Sequence, residues 1–299
     1  MNYRAGFIGL IGLPNSGKST LMNALVGEKV SIVTSKPQTT RRRVMGLVSG
    51  ADFQAVVVDA PGVVKAKSGL NLFLHEEARD VISESDVLIA VLNIDEKSAE
   101  QLDEIIKIVS EAKKPWIAVI QKTDLPVLHR PQILRDKLSK FAVPVLQGSA
   151  LKEGPALAEA VLETVKSLLP KADGPLYDQD LYTLSSVREL SAEIVREKCF
   201  EHLHQEIPFG SAVRILRFNE EDGPVVKLHL EVLVNKDNHR AIVVGREGST
   251  LKKIGTDARK EIEKLMGRKV YLDLKVVAKR DWQKNPGLMK ELGYVIPKS

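Results

Sequence analysis

The twelve residues Gly12-Leu13-Pro14-Asn15-Ser16-Gly17-Lys18-Ser19-Thr20-Leu21-Met22-Asn23 constrain this chain more than any other stretch. They carry the full G-x-x-x-x-G-K-S pattern. The apolar run Phe7-Ile8-Gly9-Leu10-Ile11 predicts a buried strand leading into the loop, and Leu21, Met22 and Leu25 predict a helix leaving it. In that setting the glycines let the backbone wrap a polyphosphate, with several N–H groups converging at the mouth of a helix. Lys18 is placed to reach the β and γ phosphates, and the Ser19 hydroxyl to ligate Mg²⁺. The candidate phosphate-binding set is therefore Gly12, Leu13, Pro14, Asn15, Ser16, Gly17, Lys18, Ser19 and Thr20. A chance glycine turn does not account for the pattern and its setting together.

Base choice is read further along. Trp116-Ile117-Ala118-Val119-Ile120 predicts a parallel strand that ends at Gln121-Lys122-Thr123-Asp124. Ligands of doubly wound sheets sit at the carboxyl ends of strands. One carboxylate, Asp124, can accept from both donors on the edge of guanine, while Lys122 lays its stem along the ring. The four residues resemble the base-reading motif of GTPases, whose first position is normally Asn. Here it is Gln121, which keeps the amide but moves it by one methylene.

Other elements fall in the same order. The run Val56-Val57-Val58 ends in Asp59-Ala60-Pro61-Gly62. Asp59 is expected to hold Mg²⁺ through water and the Gly62 N–H to meet the γ-phosphate, a glycine being free to reorient there. Between the two phosphate elements lies the polar segment Lys36-Pro37-Gln38-Thr39-Thr40-Arg41-Arg42-Arg43. One of its threonines completes the metal shell in the triphosphate state. After Val143 to Leu146, Ser149-Ala150-Leu151 is expected to back the guanine.

At 299 residues the chain suits two domains. Its single cysteine, Cys199, excludes an intrachain disulfide framework and reads as a buried helix residue. Met1-Asn2-Tyr3-Arg4 runs straight towards the first strand, so no signal peptide is expected, and no apolar run approaches the roughly 18 residues of a membrane span. A cytoplasmic protein is the expectation. Residues 1–180 hold 22 basic and 22 acidic residues, whereas residues 181–299 hold 22 and 17, so the whole excess of +5 lies in the second part. From Gly245 onward the count is 14 basic against 7 acidic. Such an excess fits either a solvated face or a nucleic-acid footprint.

A helix over Ala156 to Leu169 is predicted to close the first domain, and Pro170-Lys171-Ala172-Asp173-Gly174-Pro175 reads as a turn-rich connection. The rest predicts a helix (Ser185 to His204), two strands (Ala212 to Arg217, Val225 to Val234) turned at Asp222-Gly223, and a helix ending near Val244. A long helix from Ser249 and a strand from Val270 to Val277 follow. Val243-Val244-Gly245-Arg246-Glu247-Gly248-Ser249 within that order resembles the core of a type II KH domain. There a G-x-x-G loop clamps the backbone of about four single-stranded nucleotides. Gly245, Arg246, Glu247, Gly248, Lys252 and Lys253 are the candidate RNA contacts.

Over residues 7–294 the chain resembles the Era family of ribosome-assembly GTPases. The resemblance is carried by Pro14-Asn15, Gln38-Thr39-Thr40-Arg41, Asp59-Ala60-Pro61-Gly62, the G-x-x-G segment, and the tail from Asp281-Trp282 to Gly293-Tyr294. It implies an α/β P-loop GTPase domain with a doubly wound, mostly parallel sheet (1–170), a linker (171–183) and a type II KH domain with a basic tail (184–299). It further implies a switch that hydrolyses GTP and binds the 3′ end of small-subunit ribosomal RNA during assembly of the 30S subunit. The implied catalytic residues are Asn15, Lys18, Thr40 and Gly62, the metal ligands are Ser19, Thr40 and Asp59, and the first switch includes Gln38, Thr39, Thr40, Arg41 and Arg42. A monomer, with weak peripheral association at the inner face of the membrane as a further partner, completes the expectation. Ser16 and Ala60 replace a common Val and a common Thr of the family.

Val63 occupies the position where Ras-type GTPases place a water-orienting glutamine. Valine cannot do this, so slow intrinsic hydrolysis is expected. Asn15 reads either as a ligand of K⁺, acting in place of an arginine finger, or as a plain loop residue. Arg41, Arg42 and Arg43 read as solvated, or as contacts to RNA or to the other domain. The alternative function left open is an RNA-binding assembly factor that binds GTP but barely hydrolyses it.

Overall fold

The computed structural model of the chain describes residues 3–63, 68–96, 98–127, 130–220 and 223–295. They divide into two units, residues 1–66 with 74–184 and residues 67–73 with 185–299.

Continuous apolar runs in the first unit become strands buried on both faces. β1 (Arg4–Ile11), β3 (Phe53–Asp59), β4 (Val87–Asn93), β5 (Trp116–Gln121) and β6 (Val145–Gln147) pair in parallel, and β2 (Val44–Ser49) joins β3 antiparallel at the edge. The order is β2-β3-β1-β4-β5-β6. Alternate residues feed two cores, as a period of two requires. Ile8, Leu10, Val57, Ile89 and Val119 pack with Leu21, Met22, Val161 and Val165 of α1 (Lys18–Val26) and α5 (Gly154–Lys166). On the other face Val56, Val58, Leu88 and Ile120 pack with residues of α2 (Gly69–Glu84), α3 (Ala99–Glu111) and α4 (Arg130–Leu138), including Val81, Ile105 and Leu134. This sandwich leaves the loops after β1, β3, β4, β5 and β6 at one rim.

The stretch read as a connection is held to the edge strand. Thr183 Oγ1 donates to the Met45 carbonyl at 2.8 Å, and the Leu47 N–H donates to the Tyr182 carbonyl at 2.9 Å. Gln54 accepts from the N–H groups of Leu176 and Tyr177 and donates to the Tyr177 carbonyl. An open strand edge has unpaired backbone groups, and this segment satisfies some of them.

In the second unit α6 (Val187–His202), α7 (Asp237–Val244) and α8 (Ser249–Met266) accompany a sheet of order β7-β8-β9, formed by Ala212–Asn219, Val225–Val234 and Lys269–Ala278. β7 and β8 are antiparallel, β8 and β9 parallel. The apolar stripe of α8, Ile254, Ala258 and Ile262, meets Val195 and Cys199 of α6 and the inward residues of β8. Ser186 and Glu189 cap α6 reciprocally. Cys199 is fully buried, and burial pushes its thiol up to about 12, so it stays an inert thiol. After β9, Trp282 is buried, donates from Nε1 to the Gly210 carbonyl at 2.8 Å and stacks on Tyr294, ahead of α9 (Pro286–Glu291). The elements match the expected order with ends displaced by a few residues; Asp222 of the expected turn lies outside the described residues.

Candidate functional site

β1 delivers the chain to Gly12, where a Cβ would lie 2.5 Å from the Val91 carbonyl oxygen. Only glycine fits there. Asn15 and Gly17 take φ of +68° and +97°, folding the loop over the start of α1. A cavity of about 480 Å³ opens in front of it. Pro14, Asn15, Gly17, Lys18, Ser19, Thr20, Gln38, Thr39, Thr40, Gly62, Gln121, Lys122, Asp124, Ser149 and Leu151 line it. Fifteen of the residues picked from sequence thus meet around one space, drawn from five loops. Gly12, Leu13, Ser16, Asp59, Ala60, Pro61, Thr123, Ala150, Arg41 and Arg42 do not line it.

Lys18 is buried, and its Nζ donates to the Gly12 and Leu13 carbonyls at 3.2 and 2.8 Å. Burial lowers its pKa to about 8, against the pull of the Asp59 charge. Asp59 is fully buried at the end of β3, and its Oδ2 gathers three hydroxyls. Ser19 donates at 2.5 Å, Ser31 at 3.0 Å and Thr40 at 3.2 Å. Ser19 Oγ and Thr40 Oγ1 are themselves 2.9 Å apart. Asp59 Oδ1 is buried with no partner. Burial raises the pKa of this carboxyl, opposed by the Lys18 charge and the three hydroxyls.

Among the described residues no group of three or more His, Cys, Asp or Glu could hold a metal. The donor set here is two hydroxyls before one carboxylate with a spare oxygen. That set suits Mg²⁺, which keeps waters and takes its remaining ligands from phosphates. Gly62 stands so close to the loop that a Cβ would lie 2.4 Å from the Pro14 nitrogen, and the next residue, Val63, donates its N–H to the Gly12 carbonyl at 3.2 Å. The Val63 side chain packs against the core on the face of α2, α3 and α4, away from any water-orienting role.

At the other end of the cavity Gln121 is buried behind Gly17, and its Oε1 accepts the Ala150 N–H at 3.2 Å. Lys122 Nζ donates to Asp95 Oδ2 at 2.8 Å, and Asn93 donates to Asp95 Oδ1. Although its partial burial acts the other way, these partners lower the Asp95 pKa. Asp95 also lines the cavity, and sequence reasoning missed it. The apolar run Val87-Leu88-Ile89-Ala90-Val91-Leu92, read as a further parallel strand, would have placed it at the same rim.

The three arginines are not alike. Arg41 is buried, Arg42 is exposed, and Arg43 makes ion pairs with Glu77, Asp80 and Glu84 on α2. Solvation is therefore wrong for Arg41, which is buried, and for Arg43, which three carboxylates hold. Asn15 Nδ2 donates to the Ser35 carbonyl at 2.6 Å, which leaves its Oδ1 uncommitted by that bond.

In the second unit Gly245 and Gly248 take φ of +75° and +76°, with Glu247 at +52° between them. A groove of about 460 Å³ runs from Gly248 along α8 and β9, lined by Leu251, Lys252, Gly255, Thr256, Arg259 and Val270 to Leu272 with Leu274. Gly245, Arg246, Glu247 and Lys253 lie outside that lining. The spacing of 252, 255, 256 and 259 is that of one helix face, a signal present in the sequence but not used. Tyr271, on β9, is 55% exposed.

Residues 7–122 match the family model described as "50S ribosome-binding GTPase", and residues 206–283 match that of the KH domain. With a mostly parallel doubly wound sheet below the loop and a three-stranded α+β unit after it, the chain is a P-loop GTPase with a KH domain, an enzyme that hydrolyses GTP. Its relatives narrow the class. It is 39% identical to GTPase Era of Geobacter metallireducens and 36% identical to GTPase Era of Clostridium perfringens, each over 98% of both chains. The chain belongs to the Era GTPase family. Among solved structures it is similar to Aquifex aeolicus Era bound to GDP·AlF4⁻ (TM-score 0.90, 33% identity, 98% of this chain and 100% of the other). It is also similar to Era in complex with MgGDPNP and nucleotides 1506–1542 of 16S ribosomal RNA (TM-score 0.92, 34% identity, 98% and 100%).

Among the described residues no helix is long and apolar enough to cross a membrane.

Proposed function

We propose that the protein is a GTP-driven switch that binds the 3′ end of small-subunit ribosomal RNA and assists assembly of that subunit. The observation that carries the reading is the meeting of Ser19, Thr40 and Asp59 within hydrogen-bond distance, with Ser19 and Thr40 lining one end of a cavity whose other end holds Lys122 and Asp124. One end suits a triphosphate with its metal, the other a base with two donors on one edge.

In this reading Lys18 leaves the Gly12 and Leu13 carbonyls for the β and γ phosphates, whose charge restores the ammonium its burial penalises. Loop N–H groups hold the phosphates, and the Gly62 N–H meets the γ-phosphate. Ser19 and Thr40 ligate Mg²⁺ directly and Asp59 acts through water. Mg²⁺, when bound, offsets the negative charge carried by the phosphates. With Val63 turned into the core, intrinsic hydrolysis is slow. Asn15, whose Nδ2 is committed to Ser35, offers its Oδ1 to K⁺, the ion that would act in place of an arginine finger.

Asp124 reads the guanine edge with Lys122 along the ring, and Ser149, Ala150 and Leu151 back the base. The groove beside Gly248 takes single-stranded RNA, with Lys252 and Arg259 near its phosphates and Tyr271 offering a ring for stacking. The complex of an Era with a 16S fragment supports this choice of partner. The protein acts as a cytoplasmic monomer, and any meeting with the membrane is a surface association.

The test is turnover of GTP and ATP by the full chain, with and without a single-stranded oligonucleotide of the small-subunit 3′ end. Selective GTP turnover and saturable binding of that oligonucleotide are expected. Equal use of ATP would overturn the base assignment, and equal affinity for an unrelated sequence would overturn the choice of RNA.

A further inference from the structure

Ser31 lies outside the loop patterns, and its side chain does not line the nucleotide cavity. It is buried, and its hydroxyl donates to Asp59 Oδ2 at 3.0 Å. Its backbone is clamped from α1. Asn23 Oδ1 accepts the N–H groups of Val30 and Ser31 at 3.0 and 2.9 Å, and Asn23 Nδ2 donates to the Ser31 carbonyl at 2.8 Å. Three hydrogen bonds from one amide fix where the Ser31 hydroxyl sits.

Two of the hydroxyls on Asp59 have another use. In the reading above, Ser19 and Thr40 turn towards the metal, and Thr40 belongs to the segment that depends on the γ-phosphate. Ser31 precedes that segment, and its contacts are to α1 and β3, not to the cavity. Ser19 is fixed at the start of α1 and Ser31 by Asn23, so of the three hydroxyls only that of Thr40 depends on the nucleotide.

We propose that Asn23 and Ser31 form a nucleotide-independent brace for Asp59, with Ser31 a positioning residue that keeps the carboxylate aimed at the Mg²⁺ site when Thr40 is withdrawn. The inference rests on the assignment of Asp59 to Mg²⁺. A carboxylate held on Oδ2 by a fixed donor keeps Oδ1, its unpartnered oxygen, in one direction. With GTP, Ser19, Thr40 and Ser31 share the work. With GDP, Thr40 is withdrawn and Ser19 and Ser31 remain, so the brace matters most for holding Mg²⁺·GDP.

The experiment compares the unmodified chain with Ser31→Ala, Asn23→Ala and the double variant. Each is loaded with fluorescent GDP or with a fluorescent non-hydrolysable GTP analogue. The readout is the Mg²⁺ concentration that half-maximally slows nucleotide release, with melting curves of the same samples. Loss of a hydrogen bond to a charged group predicts a rise of about tenfold in that concentration for Ser31→Ala with GDP. With the GTP analogue the rise should be smaller, on the order of two- to threefold, as two of the three positioning hydroxyls remain. Asn23→Ala, which keeps the Ser31 hydroxyl but frees its backbone, should shift in the same direction. The double variant should be no worse than the stronger single one, because both act through one contact.

No Mg²⁺ dependence in the unmodified chain would overturn the metal assignment itself. Normal dependence there, with Ser31→Ala unchanged in GDP or shifted equally in both states, would overturn the brace alone. Should Ser31→Ala melt early, Asn23→Ala decides by the same GDP-against-GTP comparison.

Discussion

The side-chain carbonyl of Gln121 accepts the backbone N–H of Ala150 at 3.2 Å, while its own amide nitrogen is buried without a partner. The longer side chain therefore ties the loop after β6 to the end of β5, using a backbone donor that lies between two cavity-lining residues, Ser149 and Leu151. Asparagine from the same Cα would fall short of it by about one bond. Gln121→Asn should release the Ala150 N–H, leaving GTP affinity equal or a few-fold higher and costing about 1 kcal/mol of nucleotide-free stability. Fluorescent-nucleotide titration and a denaturant melt check both halves.

Asp124 is exposed at the cavity, so its replacement should change recognition without disturbing the core. In Asp124→Asn an amide NH₂ opposes the guanine donors. The preference for GTP over ATP should fall on the order of 10- to 100-fold, the worth of a charged hydrogen-bond pair. Competition of ATP against bound GDP measures it.

The two loop glycines should behave differently. A Cβ at Gly245 would lie 2.4 Å from Thr250 Oγ1, whereas at Gly248 nothing lies within 4 Å. Gly248→Asp should fold, since Asp tolerates positive φ, and should lose single-stranded RNA binding while keeping GTP binding. Gly245→Asp should also destabilise the turn itself. Affinity of the unmodified chain should fall with added salt as counterions are released. RNA titrations at two salt concentrations, beside thermal melts, separate these outcomes.

Lys18 carries a pH signature in the nucleotide-free protein. Its ordinary value of 10.5 drops to about 8 on folding. Below pH 8 both folded and unfolded chains hold the proton, and the burial penalty is fully present. Between about 8 and 10.5 the unfolded chain binds more protons, so the lysine's contribution to stability rises with pH. Relative to Lys18→Met, the unmodified chain should thus gain on the order of 3 kcal/mol across that window. Denaturant melts of both proteins at pH 7, 8.5 and 10 test the sign.

Thr40 bonds to both Ser19 and Asp59, and β2, which follows its segment, carries the Tyr182 and Thr183 contacts of the connecting stretch. GTP should change RNA affinity, and by linkage RNA should change GTP affinity by the same factor, a coupling of about 1–3 kcal/mol. Thr40→Ala should reduce it. The measurement is RNA affinity with GDP and with a non-hydrolysable analogue; equal values would leave the two binding events independent.

The loop from Gly12 to Thr20, the strand ends at Asp59 and Gln121, and the order of elements around Gly245 were all legible in the residues alone. Each depends on local rules: glycine where the backbone must come close, apolar runs for buried strands, helical spacing after a loop. The contacts that give these pieces their chemistry join positions far apart in the chain. Ser31 and Asp59 are 28 residues apart, and Asp95 and Lys122 are 27 apart. No local periodicity encodes such pairs: the parallel sheet brings Asp95 and Lys122 together at neighbouring strand ends, and the Asn23 clamp brings Ser31 to Asp59. Likewise Arg43, read as solvated or as a contact to RNA or to the other domain, is instead held by three carboxylates of α2. Residue types determined which chemistry was present, and only the tertiary structure decided which groups meet, because burial and long-range hydrogen bonds depend on packing rather than on neighbours in sequence.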